Sequence, residues 1–362
     1  MRRFFRFAGW GLYAVLAVLF LAGYAARYVP PRFFWWAELI AVGLPYLAAL
    51  LVVATLFVFL RRRSWTLRIV HLVLLALIAW RFVGSEWWKG RAGDEAGGAL
   101  TVMTYNLPRW TGPAPPAKRD SFRRMVGRIQ PELVALQEAR LDFQTSSDTT
   151  RIAGRPYVTA LVEPGGYRVV GPGADAPTHT MQPVFGKVPL AKQSKIVLRR
   201  GKQDATYVTR TRFRWQGRPA VYYNLHLRSF GERKPWHDAD ARPLSSRTWR
   251  SYARQYRKAL LDRAWEARRI QQMLNDEDLP FIVSGDFNST PHGWAYWHLA
   301  DDLTDAFRVA GDGWGGTYHS RFPFARIDFV LASAEWRVLG ARVPDAHLSD
   351  HRPLVAQLAW KE

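Results

Sequence analysis

Several short segments of the chain end in polar side chains of the kinds hydrolytic chemistry uses, each beside apolar residues able to anchor it. Asn106 follows Val102-Met103-Thr104-Tyr105, and Gln137-Glu138 follow Val134-Ala135-Leu136. His226 lies within Tyr223-Asn224-Leu225-His226-Leu227. Asp286 and Asn288 stand in Ser284-Gly285-Asp286-Phe287-Asn288, Asp328 in Arg326-Ile327-Asp328-Phe329, and Asp350-His351 in Ser349-Asp350-His351-Arg352-Pro353. Cysteine is absent. That excludes disulfides, thiolate zinc sites and cysteine nucleophiles, leaving imidazole, carboxylate, amide and hydroxyl groups to carry any reaction.

Taken singly, these residues have plain structural explanations. Asn106 suits a turn cap before Pro108, Glu138 a solvated carboxylate at a helix start, and His226 a hydrogen-bonded core histidine. Asp286-Phe287-Asn288 suits an Asx turn, and Asp350-His351 a cap. Independent accidents of that sort do not produce an ordered set of acceptors, amides and imidazoles suited to one reaction. His179, His237, His292, His298, His319 and His347 fit no role and read as surface or loop residues.

The elements that must position these groups are short β-like runs alternating with helical patterns from Leu100 onward, an α/β texture. Strands are expected at Leu100–Tyr105, Leu133–Leu136, Ala220–Leu227, Phe281–Ser284 and Ile327–Leu331, with helices at Ser121–Ile129 and Trp249–Leu274. Pro108 to Pro116 reads as a loop, and Leu141 to Arg200 gives no clear pattern.

Residues 1–83 are different. Apolar stretches at about 8–27, 38–60 and 65–83 have the length expected of transmembrane helices, with Arg68 and Arg81 near the ends of the third and Pro45 able to kink the second. Arg2, Arg3 and Arg6 precede the first stretch, and Arg61, Arg62, Arg63 and Arg68 separate the second from the third. Positive-inside reasoning with three spans makes the remainder extracytoplasmic, and with two makes it cytoplasmic, so the third stretch decides the compartment. Residues 84–99 read as a linker and 100–362 as the catalytic domain. Of 51 Lys+Arg and 30 Asp+Glu, 11 and 2 fall in residues 1–90, leaving 40 and 28 beyond. The excess outside the apolar region favours anionic partners, whether nucleic acid or acidic headgroups.

In their order, these fragments resemble the endonuclease/exonuclease/phosphatase superfamily, in a membrane-anchored bacterial form. Gly285-Asp286-Phe287-Asn288 and Ser349-Asp350-His351-Arg352-Pro353 are the most specific parts, and the resemblance runs from about Leu100 to Leu358. It implies a four-layer α/β sandwich, two packed mixed sheets flanked by helices, behind an N-terminal bundle of about three transmembrane helices. The implied activity is metal-dependent hydrolysis of a phosphodiester, nucleic acid or phospholipid headgroup, by in-line attack of activated water. An inositol-phosphate-type phosphomonoesterase and an inactive binding module on the same fold are the alternatives. The resemblance assigns Mg²⁺ or Mn²⁺ to Asn106, Glu138 and Asp350, hard oxygen donors suited to such cations. It gives Asp286 with Asn288 the orientation and deprotonation of water, His351 with Asp328 a phosphate contact of fixed tautomer, and His226 a second imidazole at the phosphate. Asn224 would support them. No obligate protein partner is implied.

Overall fold

The strand sequences alternate so that every second residue faces the same way, and the side that is apolar along most of each strand turns polar at one end. The computed structural model describes residues 2–61, 65–82, 98–107, 116–145, 150–154, 161, 166–170, 179–199, 206–231 and 245–362. Most of the expected linker and of the Pro108–Pro116 loop lies outside the described residues.

Four helices come first: α1 (Arg2–Ala25), α2 (Pro31–Val42), α3 (Leu44–Arg61) and α4 (Trp65–Phe82). Then follow β1 (Leu100–Asn106), α5 (Pro116–Ile129), β2 (Leu133–Gln137), β3 (Leu141–Thr145), β4 (Thr150–Gly154), β5 (His179–Thr180) and β6 (Val184–Gly186). A hairpin of β7 (Leu190–Arg199) and β8 (Thr206–Trp215) leads to β9 (Arg218–His226), the long helix α6 (Ser246–Asn275) and β10 (Phe281–Asp286). The remainder is α7 (Trp294–Leu299), β11 (Thr304–Asp305), α8 (Ala306–Ala310), β12 (Asp328–Ala332), β13 (Trp336–Arg342) and β14 (Leu354–Trp360).

These elements divide into two compact units that cut across chain order. One gathers Met1–Trp88, Ser229–Trp265 and Ser289–His298; the other gathers Lys89–Arg228, Glu266–Asn288 and Leu299–Glu362.

The second unit is the expected mixed α/β sandwich. A five-stranded sheet has the order β13-β14-β1-β2-β6, and a six-stranded sheet the order β11-β12-β10-β9-β8-β7. Both are mixed, since β1 is parallel to β2 but antiparallel to β14, and β10 is parallel to β9 but antiparallel to β12. Leu100, Val102, Leu133 and Ala135 of the first sheet share one core with Ala220, Tyr222, Ile282 and Val330 of the second. Burying such a side chain contributes roughly 1.5–3 kcal/mol, so this interior fixes the facing of every strand that crosses it. Met103, Tyr105, Val134 and Leu136 point the other way, onto Phe122 and Val126 of α5. The stretch that gave no clear sequence pattern supplies a three-stranded sheet, β4-β3-β5, together with β6 and β7.

The first unit corrects the expectation of three transmembrane helices. Among the described residues, no single helix is long and apolar enough to cross a membrane; Trp10–Ala25 is apolar but shorter. The second expected span is broken into α2 and α3, which meet at a bend of 69° and pass the length and composition test only as a pair. The break falls at Gly43, two residues before Pro45, whose missing N–H cannot continue a helical ladder. Polar contacts tie these helices together: the Tyr13 hydroxyl lies 2.7 Å from His71 Nδ1 and 3.1 Å from Thr55 Oγ1, and Arg81 donates to the Tyr24 carbonyl at 2.8 Å.

Glu38 of α2 is buried and accepts the backbone N–H of Trp294, the first residue of α7, at 2.8 Å. Nearby in the same unit the Arg27 guanidinium lies 4.0 Å from the Trp297 ring centre. Orphan N–H groups at a helix start need an acceptor, and Glu38 supplies one from a distant part of the chain. Glu38→Ala therefore lowers stability by about 1–3 kcal/mol through an unpaired buried donor, whereas Glu38→Gln keeps an acceptor and stays near the parent. Thermal unfolding of the full chain in detergent reads the difference.

Candidate active site

Residue parity explains how distant parts of the sequence meet. Leu100 and Val102 face the core between the sheets, so Thr104 and Asn106 continue that side; Leu133 and Ala135 carry Gln137 with them. On the facing sheet Tyr222 leads to Asn224 and His226, and Ile282 to Ser284 and Asp286. Register completes the row. Asp286 pairs with His226 on one side and Asp328 on the other, while Asn106 pairs with Gln137. Polar groups thus replace the apolar interior at one end of the sandwich.

Asp286 is the hub. Its Oδ2 accepts from Asn106 Nδ2 at 2.9 Å and from Asn288 Nδ2 at 3.2 Å, and its Oδ1 accepts from the Asn288 backbone N–H at 2.7 Å. His226 Nε2 lies 3.6 Å and His351 Nε2 3.8 Å from the same Oδ2. His226 Nε2 is also 3.8 Å from Glu138 Oε1, which brings Glu138 to the cluster. Behind these groups, Gln137 donates to Thr104 Oγ1 at 2.9 Å and to Asn224 Oδ1 at 2.7 Å, bridging the sheets. Asn224 in turn donates to the Leu136 and Pro183 carbonyls at 2.9 and 3.2 Å.

His351 and Asp328 form a buried pair, Nδ1 to Oδ2, at 2.9 Å. Burial by itself disfavours an imidazolium, but the carboxylates of Asp328, Asp286 and Asp350 outweigh it and push the His351 pKa up to about 10. His351 is therefore cationic at neutral pH, with Nε2 directed at the hub. Asp350 is exposed and linked to Ser349 Oγ at 3.2 Å. It acts on the cluster through its charge beside His351.

The donor chemistry suits a hard divalent cation. Asn106 uses its amide N–H on Asp286, which leaves its amide oxygen as a donor atom, and the Glu138 carboxylate is partly open to solvent. Among the described residues, the one trio of carboxylate and imidazole groups within 4.8 Å of one another is Asp286, Asp328 and His351. In that trio the Asp328–His351 hydrogen bond already occupies the facing atoms. The Asn106 amide oxygen and the Glu138 carboxylate keep oxygen donor atoms beside the hub.

Backbone strain marks the same place. Glu138 and Asn288 are two of five non-glycine residues with positive φ among the described residues, at 57° and 48°. Gly285 has φ +136°, and a Cβ there would lie 2.0 Å from the Leu225 carbonyl oxygen. This glycine lets β10 approach β9 closely enough to set Asp286 beside His226.

Sequence reasoning missed two supports, Thr317 and the Arg326–Asp305 pair. Thr317 Oγ1 accepts the backbone N–H groups of Ile327 and Asp328, both at 3.2 Å. Arg326 holds both oxygens of buried Asp305 at 3.0 and 2.8 Å, bracing the entry to β12. No local pattern announces Thr317, whereas Arg326, inside an apolar run two residues before Asp328, was a visible signal of a buried partner. Of the histidines without a role, His298 stacks on Trp294, His347 is exposed, and His237 lies outside the described residues.

The model of the endonuclease/exonuclease/phosphatase family matches residues 103–351, and one described as a domain of unknown function matches residues 2–85. No curated protein matches the sequence. An endonuclease/exonuclease/phosphatase family protein from Leptotrichia buccalis shares 17% identity at a TM-score of 0.51, over 72% of this chain and 100% of its own. A mannosyl-6-phosphatase from Bacteroides thetaiotaomicron shares 17% at 0.50, over 72% and 100%. The D. rerio protein TDP2, solved with a single-strand DNA product, shares 14% at 0.51, over 73% and 100%. At these identities the structures show a common fold.

The pair behind the hub is testable without turnover. In chelator, His351 of the parent titrates near 10, and in Asp328→Asn it falls to the ordinary histidine range of about 6.5 or below, because burial is then less opposed. Side-chain NMR of the imidazole follows both. Gly285→Ala forces a side chain into left-handed backbone and costs about 1–3 kcal/mol before the clash with Leu225 is counted, visible as a lowered midpoint of thermal unfolding.

Proposed function

Because this chain belongs to the endonuclease/exonuclease/phosphatase family, we propose that it hydrolyses a phosphodiester by in-line attack of a water activated at Asp286. The observation that carries the reading is the convergence on one buried carboxylate of two amides and two imidazoles, carried by the ends of β1 and β9, the turn after β10 and the segment before β14.

Asp286 is held by Asn106 and Asn288 with its oxygens oriented, so it can align a water and accept its proton. His351, cationic through Asp328, donates from Nε2 to a phosphate oxygen and stabilises the charge that builds as the bond to the leaving group breaks. His226 offers a second donor across the hub, and the Asn288 amide, donating to Asp286 Oδ2 at 3.2 Å and to the Leu227 carbonyl at 3.1 Å, holds the carboxylate in place. A Mg²⁺ or Mn²⁺ ion held on Glu138, Asn106 and Asp350 would polarise the phosphate oxygens. Water attack on this arrangement needs no covalent intermediate.

Exposed apolar side chains support attachment to a membrane. Leu12, Val15 and Val18 on α1, Leu50, Val53 and Leu56 on α3, and Ile69, Leu72 and Val73 on α4 are all exposed. Their spacing by threes and fours gives each helix an outward apolar stripe, a burden in water and a benefit in lipid. An anchored enzyme meets phospholipid headgroups as its nearest phosphodiesters, and the basic excess of residues 91–362 suits an anionic surface. A phosphomonoester substrate is the second reading: the fold is shared with a protein titled a mannosyl-6-phosphatase, so the architecture alone does not choose the ester.

Bis-p-nitrophenyl phosphate tests the chemistry directly. The full chain turns it over with Mg²⁺ or Mn²⁺ and loses turnover in chelator, and Asp286→Ala reduces kcat by about 10²–10⁴-fold. Absence of turnover with either ion would leave a binding module in place of an enzyme.

A further inference from the structure

Away from the hub, a groove of about 620 Å³ opens between α5 and the segment Arg342 to Leu348. That segment runs straight into Ser349-Asp350-His351. Its position follows from register. Arg342 pairs with Val355, and Val355 with Met103, so it lies two strands across and three residues below Asn106, roughly 14 Å away along the sheet.

The lining has a definite chemistry. Arg124 and Arg128, four residues apart on one face of α5, stand with Arg342 at the rim. None of the three has an acidic partner among the described residues; Arg124 donates to Ser121 Oγ at 3.0 Å. The acidic residue of the groove, Asp345, is engaged by Arg352 at 2.7 Å and by His347, another lining residue, at 3.3 Å. Met125, Ile129 and Leu348 form an apolar floor continuous with the core beneath. Three guanidinium groups over hydrocarbon suit an anion carrying an alkyl chain, since each part of such a molecule finds its complement. No Phe, Tyr or Trp among the lining residues offers the stacking platform that single-stranded nucleic acid uses.

Resting on the hydrolytic reading above, we propose that this groove is a second anion site, holding the non-reacting acidic group and adjoining alkyl portion of an amphiphilic phosphoester on Arg124, Arg128 and Arg342. Binding to the full chain in dodecyl maltoside with chelator, followed by calorimetry, tests it with n-hexyl phosphate, inorganic phosphate, n-hexanol and an eight-residue thymidylate strand. The expected result is n-hexyl phosphate at least tenfold tighter than phosphate or hexanol, losing at least tenfold in affinity in the triple variant Arg124→Gln, Arg128→Gln, Arg342→Gln. The single charge reversal Arg128→Glu produces a loss of the same sign. Equal affinity in parent and triple variant overturns the proposal. So does a thymidylate strand that binds more tightly than n-hexyl phosphate and depends on the same arginines. Turnover of bis-p-nitrophenyl phosphate, read in parallel, is unchanged by the triple substitution; no turnover in the parent would instead overturn the catalytic reading and leave the binding comparison intact.

Discussion

A carboxylate taken out of water needs its charge met by protein donors, and in this molecule the demand falls on Asp286, which is only 1% exposed. Two amide side chains, one backbone N–H and two imidazoles answer it. Asn106 and His226 end β1 and β9, Asn288 supplies two of the donors from the turn after β10, and His351 precedes β14, so these four places must arrive together for the charge to be tolerated. The apolar interior a few residues away enforces that arrival. A one-residue slip in any of these strands would turn its polar terminus out to solvent and its apolar residues out of the core. Stability and function are therefore coupled, for the register that buries Tyr222 and Ile282 is the register that assembles the site.

The second carboxylate, Asp328, solves a different problem. It sits beside Asp286 across the β10–β12 pairing, an arrangement that two ionised groups would oppose on their own. His351 lies between them, hydrogen-bonded to Asp328 and facing Asp286, and offsets their repulsion, while burial pushes the Asp328 carboxyl above its usual range. Thr317 and the Arg326–Asp305 pair hold the backbone that delivers Asp328. The cation is thus built into the fold, the preorganised form that the proposed electrostatic stabilisation requires.

Much of this was legible from residues alone, and the parts that were not have physical reasons. Strands at Leu100, Leu133, Ala220 and Phe281 announce themselves because each buries apolar residues through most of its length before a polar end. Gly285 next to Asp286 was visible, but its purpose, the approach of β10 to Leu225, depends on a neighbour 60 residues earlier. Gln137 stood in plain view beside Glu138, and its bridge to Asn224 is a tertiary fact without a local signature. The N-terminal region misled by hydropathy. Apolar runs of the right length suggested straight spans, whereas the break at Gly43 before Pro45 divides one of them. Glu38, an acid within an apolar stretch, was the warning: it is buried against the start of α7, where its carboxyl oxygen accepts the Trp294 N–H.

The central claim is that Glu138 and Asp286 face one space in which a divalent ion and a phosphate can meet. Crystals of the full chain grown with Mn²⁺ and measured at the manganese absorption edge address it most directly. The account predicts an anomalous peak at about 2.0–2.2 Å from a Glu138 oxygen, the spacing of a small hard divalent ion, with Asp286 and His351 across the same cavity. Manganese bound elsewhere, or Glu138 turned away from Asp286 with no ion between the histidines and the acid, would contradict it.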